Sequence, residues 1–187
     1  MPNNRLGSYV SESTAMSYKH KLVLILLAVS LLSPAFADET QKYVSSDGKL
    51  QALVIPVGKA GDGLRESRVE IRDSGGKILR TRSFASKDGE HGYIVSHAAW
   101  TPDSEFFVFS VYSSGGHQPW HTPTYFYRRS NRQLKLLDDY LGPITDPNFE
   151  LSAPDILRTS KLKAYGDLES IPVEIKLSNL VKQRSKR

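Results

Sequence analysis

One unbroken apolar run, Leu22 to Leu32, stands near the start of the chain, whereas every later apolar run is short and most alternate with polar residues. The two patterns predict different things. Lys19, His20 and Lys21 precede the long run and Ala35-Phe36-Ala37 follows it, so a basic segment, an uncharged apolar segment and a small-residue cut site occur in the order of a secretory signal. The eleven uncharged residues from Leu22 to Leu32 reach about 16 Å at about 1.5 Å per residue, against a hydrocarbon core of about 30 Å. The reading is therefore a signal peptide over 16–37, cleaved after Ala37, with no stable membrane insertion afterwards. Residues 1–15 read as an upstream extension, with Met16 as a second candidate start.

The later runs predict strands. Leu50 to Val57 is the first, followed by a loop over Gly58 to Gly63. From Ser67 to Asp73, Val69 and Ile71 alternate with Arg68, Glu70 and Arg72, which makes one face apolar and the other charged. Ser74-Gly75-Gly76 supplies a tight turn, and Lys77 to Phe84 returns as the second arm of a hairpin. Tyr93 to Trp100, Glu105 to Tyr112, Pro123 to Arg129 and Gln133 to Asp138 continue the pattern, with Ser130-Asn131-Arg132 as a second hairpin turn. Phe107 and Phe109 share one face of their strand while Phe106 and Val108 share the other, as a central strand between two layers requires. Helix candidates are confined to Asp155–Ser160 and the chain end from Asn179.

Two stretches share a layout at an offset of 56 residues: Val44 to Leu50 stands against Trp100 to Phe106, each a hydrophobe, a turn around an aspartate, then an apolar strand. At the same offset Val69, Ile71, Arg72, Ser74 and Ile78 fall on Tyr125, Tyr127, Arg128, Ser130 and Leu134. A degenerate third copy carries Ala153-Pro154-Asp155 and Val173 to Lys176. The repeats cover about 43–84, 99–140 and 153–178 of a single β domain over 38–178, and 179–187 reads as a basic C-terminal tail.

The stretch Ala99-Trp100-Thr101-Pro102-Asp103-Ser104-Glu105-Phe106 resembles the repeat of TolB-type, WD-like β-propellers from exported bacterial proteins. The resemblance implies one four-stranded blade per copy. Closed propellers use about four to eight blades, so two copies and a degenerate third are too few to close in one chain. The expected fold is all-β, a compact pair of packed antiparallel sheets with its strand edges covered by Ile171 to Leu177. Oligomerisation is the alternative way to hide those edges.

Composition narrows the functional classes. Cysteine is absent, which removes disulfides, thiol nucleophiles and thiolate metal sites, and fits a bacterial periplasm. Residues 1–37 hold Arg5, Lys19, Lys21 and Glu12, so the mature chain carries 22 basic and 19 acidic side chains. That weak positive charge is spread along the chain, and no nucleic-acid partner is expected.

Catalytic signatures are sparse. No Gly-x-Ser-x-Gly elbow, phosphate-cradling glycine loop or His-Glu-x-x-His segment occurs, and no cofactor is implied. Asp138 and Asp139 read as a solvated strand end. Ser113 and Ser114 lie near His117 with no acid placed to orient the imidazole. The segment Ser113 to Pro123 is richer in recognition side chains than a linker requires, and His117, Trp120, His121 and Tyr125 form the candidate binding surface for an envelope protein, peptide or glycan. The alternative is a small envelope metal-binding protein or hydrolase in which His117 and His121 act as ligands, with His91 or His97 adding nitrogens.

Overall fold

A computed structural model of the chain describes residues 39–58, 65–116, 120–164 and 168–184. All of them belong to one compact unit, Phe36–Arg187. The expected signal segment, most of the Gly58–Gly63 loop and His117 lie outside the described residues.

Among the described residues, eleven strands form three antiparallel sheets, each a meander of consecutive strands. The first contains β1 (Gln41–Val44), β2 (Leu50–Val57), β3 (Glu66–Asp73) and β4 (Ile78–Ser83). The second contains β5 (Tyr93–Trp100), β6 (Phe106–Ser113), β7 (Thr124–Arg128) and β8 (Gln133–Leu136). The third contains β9 (Glu150–Ser152), β10 (Ile156–Leu162) and β11 (Ser170–Lys176). Helix α1 (Asp138–Leu141) follows β8, and α2 (Leu177–Arg184) follows β11. The fold is thus all-β, three antiparallel sheets of three or four strands with none closed into a barrel.

Several expectations change in detail. The degenerate third copy makes a sheet of its own, so the pair of sheets becomes a stack of three. Ser170–Lys176 does not cover the edges of other sheets; it pairs with β10 as the edge strand of the third. Asp155–Ser160, a helix candidate, leads into β10, where Leu157 and Thr159 alternate with Arg158 and Ser160. Within the expected tail, Leu180 is buried beside Leu177 in the second core.

The turn that opens each of the first two sheets repeats atom for atom. Ser45 Oγ donates to Asp47 Oδ1 at 2.8 Å and accepts the Leu50 N–H at 3.0 Å, and Thr101 Oγ1 does the same with Asp103 Oδ1 at 2.6 Å and the Phe106 N–H at 3.0 Å. Gly48 closes the first turn at φ +69°, in the left-handed region that glycine enters without a Cβ clash, and Ser104 takes φ +62° in the second. A serine there is strained, but its hydroxyl accepts the Asp47 N–H at 3.1 Å and so ties the first sheet to the second. The Asp103 N–H in turn donates to Pro154 O at 3.2 Å, tying the second sheet to the third.

Two cores lie between the sheets. Leu50, Ala52, Val54, Val69 and Ile71 of the first sheet pack on Phe107, Phe109, Val111 and Tyr127 of the second. The opposite side of the second sheet, Phe106, Val108 and Phe126, packs on Leu157, Ile144, Phe149, Leu177 and Leu180. Each sheet therefore has a trailing face toward the preceding sheet and a leading face toward the next.

The repeat register differs from the expected offset in β3 and β7. Leu50 pairs with Asp73, but Phe106 pairs with Arg128. The offset is 56 for β2 and β6 but one less for β3 and β7, so Val69 and Ile71 occupy the places of Thr124 and Phe126, not those of Tyr125 and Tyr127. A one-residue slip exchanges the two faces of a strand.

That register exposes a rule of composition. On the leading faces, the row Tyr43–Ala52–Ile71 corresponds to Ala99–Val108–Phe126 and, in the third sheet, to Glu150–Arg158–Glu174. On the trailing faces, Trp100–Phe107–Tyr127 corresponds to Leu151–Leu157–Ile175 and, in the first sheet, to Val44–Gln51–Arg72. Rows between sheets are apolar, and rows on the two terminal faces carry charge.

Thr101 is fully buried, and replacing its hydroxyl leaves the Phe106 N–H without its partner, which costs roughly 1–3 kcal/mol. Urea unfolding of Thr101→Val is expected to show that loss, while Thr101→Ser retains most of the stability; equal stabilities for all three proteins refute this role for the turn.

Candidate functional site

Strand direction sorts the connections into two sets. Tight turns at 45–49, 74–77, 101–105, 129–132 and 153–155 lie at one end of the stack, and the strand ends that the longer connections join, Val57 and Glu66, Ser83 and Tyr93, Ser113 and Thr124, and Leu162 and Ser170, lie at the other. Long loops on a rigid β scaffold are where binding residues concentrate, and the described residues of the candidate segment, 113–116 and 120–123, lie at this end.

Glu66 organises the loop end. It is 1 % exposed at the first position of β3. Its carboxylate accepts the Ser86 N–H at 2.5 Å, the Ser86 hydroxyl at 2.7 Å, the Gly92 N–H at 2.5 Å and the Ser114 hydroxyl at 2.8 Å. One side chain thereby joins β3, the 84–92 loop and the start of the loop that carries Trp120. Gly92 is obligatory here, because a Cβ would lie 2.3 Å from Phe84 O and 2.5 Å from the Glu66 carboxylate. Burial alone raises the Glu66 pKa, but the hydrogen bonds from Ser86, Ser114 and Gly92 outweigh it and hold the carboxyl below its usual range.

Beside it, the 84–92 loop is tied to itself. Asp88 accepts the Glu90 N–H at 3.0 Å, its Oδ1 lies 2.8 Å from the Ser86 hydroxyl, whose single proton it shares with Glu66, and its second oxygen lies 2.7 Å from His91 Nδ1. These contacts, the Glu90 N–H foremost, depress the Asp88 pKa. A Cβ on Gly115 would meet Glu90 O at 2.3 Å, so the loops at 84–92 and 114–123 touch through bare backbone.

Trp120 is 56 % exposed, one of the few large apolar side chains in that state among the described residues. Its ring rests against His121, with centroids 4.6 Å apart. His121 Nε2 lies 3.6 Å from Asp138 Oδ1. Asp138 also accepts the Thr124 N–H at 3.2 Å and the Ile144 N–H at 3.4 Å, and the Thr122 N–H donates to Ile144 O at 2.7 Å. The expected solvated strand end is thus a helix start whose first carboxylate is only 10 % exposed. Burial raises the Asp138 pKa, a shift opposed by the Thr124 N–H and His121.

Tyr125 parts from this group. It lies on the trailing face of β7, where its ring stacks on Phe109 at 5.4 Å and meets Phe84 edge-on at 5.2 Å. The Arg82 guanidinium lies 4.6 Å from its centroid. Of the four candidate binding residues, the structure brings Trp120 and His121 together, places Tyr125 on the first core and does not describe His117.

The histidines also separate. His91 is on Asp88, His121 is on Asp138, and His97 packs on Phe149 at 4.5 Å with Nε2 3.2 Å from Phe149 O. Among the described residues no three His, Cys, Asp or Glu side chains are grouped to hold a metal ion. Ser114, weighed as a nucleophile, donates its hydroxyl to Glu66.

Glu66 and Asp138 went unread in the sequence as organisers of this end. Their partners lie 20, 26 and 48 residues away for Glu66, and 14 residues away for Thr124 on Asp138. No local motif signals such pairings.

Because the Glu66 pKa is depressed on folding, its contribution to stability is present above the unfolded value of about 4.3 and is lost as pH falls through the folded value. Glu66→Gln is expected to cost roughly 2 kcal/mol at pH 7, with the difference from the native protein shrinking below about pH 4. Denaturant midpoints measured from pH 7 to pH 3 check this, and a difference independent of pH refutes it.

No protein-family model matches the chain, and no curated protein is significantly similar to it.

Proposed function

We propose that the chain is an exported periplasmic binding module of a bacterial envelope, a three-sheet relative of TolB-type repeats that recognises an envelope protein, peptide or glycan without catalysing a reaction. The observation that carries this reading is Trp120. It stands exposed at the loop end, on a histidine 3.6 Å from a mostly buried carboxylate whose hydrogen bonds come from backbone amides of β7 and the Ile144 segment.

An indole presented this way offers a large contact area with little conformational freedom to lose on binding, which is why tryptophan dominates interface energetics. The repeated aspartate turns and consecutive meander sheets support the resemblance to propeller blades. Export rests on the basic, apolar and small-residue order of Lys19 to Ala37.

Two measurements test the reading. Intact mass of protein from the periplasmic fraction is expected to begin at Asp38; recovery only from the cytoplasm with the leader attached overturns the assignment to the periplasm. A photo-cross-linking residue at position 120 is expected to capture one defined envelope component that the same group at Asn131, at the opposite end, does not. Affinity purification with the native protein is expected to recover the same component and with Trp120→Ala to lose it, while Trp120→Ala changes stability by less than about 0.5 kcal/mol. Indistinguishable products from positions 120 and 131 refute Trp120 as the contact.

A further inference from the structure

The trailing face of the first sheet is built to be packed against, and no further sheet lies on it among the described residues. It presents Val44, Gln51, Arg72 and Ile78 in one cross-strand row and Lys42, Leu53, Glu70 and Thr81 in the next. Val44 is 54 % and Ile78 50 % exposed, and a hollow of about 160 Å³ lies beside Val44 and Gln51, bordered also by Lys42 and Ser74. At the far end of the stack, the leading face of the third sheet presents Glu150, Arg158 and Glu174 in a row, with Ile156 and Lys176 in the adjacent one.

We infer that these two faces pack on each other between two copies of the chain, head to tail, so that two three-sheet stacks close into a ring of six. The leading-on-trailing contact already occurs twice within the chain. In the first of these, Tyr43 lies on Phe107 at 5.7 Å and its carbonyl accepts the Trp100 indole N–H at 3.0 Å. The third sheet's Glu150 and Glu174 hold the places of Tyr43 and Ile71, and the first sheet's Gln51 and Arg72 hold those of Phe107 and Tyr127. Row on row, Glu174 of one copy, which holds Arg158 of its own chain at 2.6 Å, then meets Arg72 of the other, which holds the buried Glu70, and Glu150 comes beside Gln51 and Lys42. Val44 and Ile78 lose their exposure against the second copy.

The dimensions favour closure over a single contact. The strands of the third sheet hold 3, 7 and 7 residues, so at about 3.3 Å per residue and about 4.8 Å between strands its face covers roughly 270 Å². One such contact buries about 540 Å² in total, the size of an adventitious encounter, whereas two bury about 1,100 Å², above the roughly 1,000 Å² that a specific interface has to clear. Six sheets also fall in the range of four to eight that close, and a head-to-tail contact makes a ring when its rotation closes.

Analytical ultracentrifugation of the protein purified from cells, with its N-terminus read by intact mass, is expected to give twice the chain mass at 10–100 µM on the order of specific dimers. Arg72→Glu and Glu174→Arg are each expected to weaken association at least tenfold, and the double variant, which restores the opposite charges, to recover it. Because the chain has no cysteine, Gln51→Cys and Glu150→Cys chains mixed under oxidising conditions are expected to form a disulfide heterodimer, a readout that does not depend on the charge variants folding. A monomer at 100 µM on the order of a weak dimer's Kd, a dimer indifferent to both charge changes, or no heterodimer beyond the single-variant background overturns the pairing and leaves the charged rows as end caps.

Discussion

From Phe106 to Val111 every residue of β6 is buried, because the strand has a hydrophobic core on each side: Phe107 and Phe109 toward the first sheet, Phe106 and Val108 toward the third. A strand apolar on both faces has no stable place at a surface. It requires a sheet above and a sheet below, and each of those has to offer an apolar face. Each buried phenylalanine contributes on the order of 2 kcal/mol, so the two outer sheets are held chiefly by what they cover on the middle one. Their own outward faces are released from that demand, and there the Arg68–Glu70–Arg72 and Glu150–Arg158–Glu174 clusters replace aromatic rows.

Polar contacts then set how the sheets sit on one another. The aspartate turns do this at one end, where Asp47 donates its N–H to Ser104 and Asp103 donates to Pro154. Arg129 reinforces the first of these links with a 2.6 Å contact to Asp47, which lowers the pKa of that aspartate. At the other end Glu66 gathers donors from two loops, and Asp138 fixes the segment behind Trp120. Both ends use one device, a carboxylate satisfied by backbone and hydroxyl donors. At the turns it joins sheets, and at the loops it holds a recognition segment in place.

Much of this was legible before the fold was known, and particular residues show why. Leu50–Val57 and Tyr93–Trp100 form strands with the bounds that alternation indicates, and the Asp73–Lys77 turn closes where Ser74-Gly75-Gly76 predicts. β1 was harder to see, because Gln41–Val44 is short, polar and mostly exposed, and becomes a strand only by pairing with β2. The candidate site divides likewise. Trp120 and His121 adjoin in sequence and in space, whereas Tyr125, only four positions further on, turns to the opposite side of the sheet because β7 has already begun.

The sequence by itself determined the β class, the repeated aspartate turn, the two-faced apolar strand at its centre and the absence of thiol chemistry. These are local properties, encoded by a period of two and by turn residues within a few positions of one another. Only the tertiary structure decided that the degenerate copy makes a third sheet, that β3 and β7 differ by one register position, that Glu66 and Asp138 are buried anchors, and that the histidines go to separate partners. The anchoring by Glu66 and Asp138 and the placing of His97 depend on contacts across 14 to 52 residues, where loop length and the packing of whole faces select the partner and no short motif carries the information.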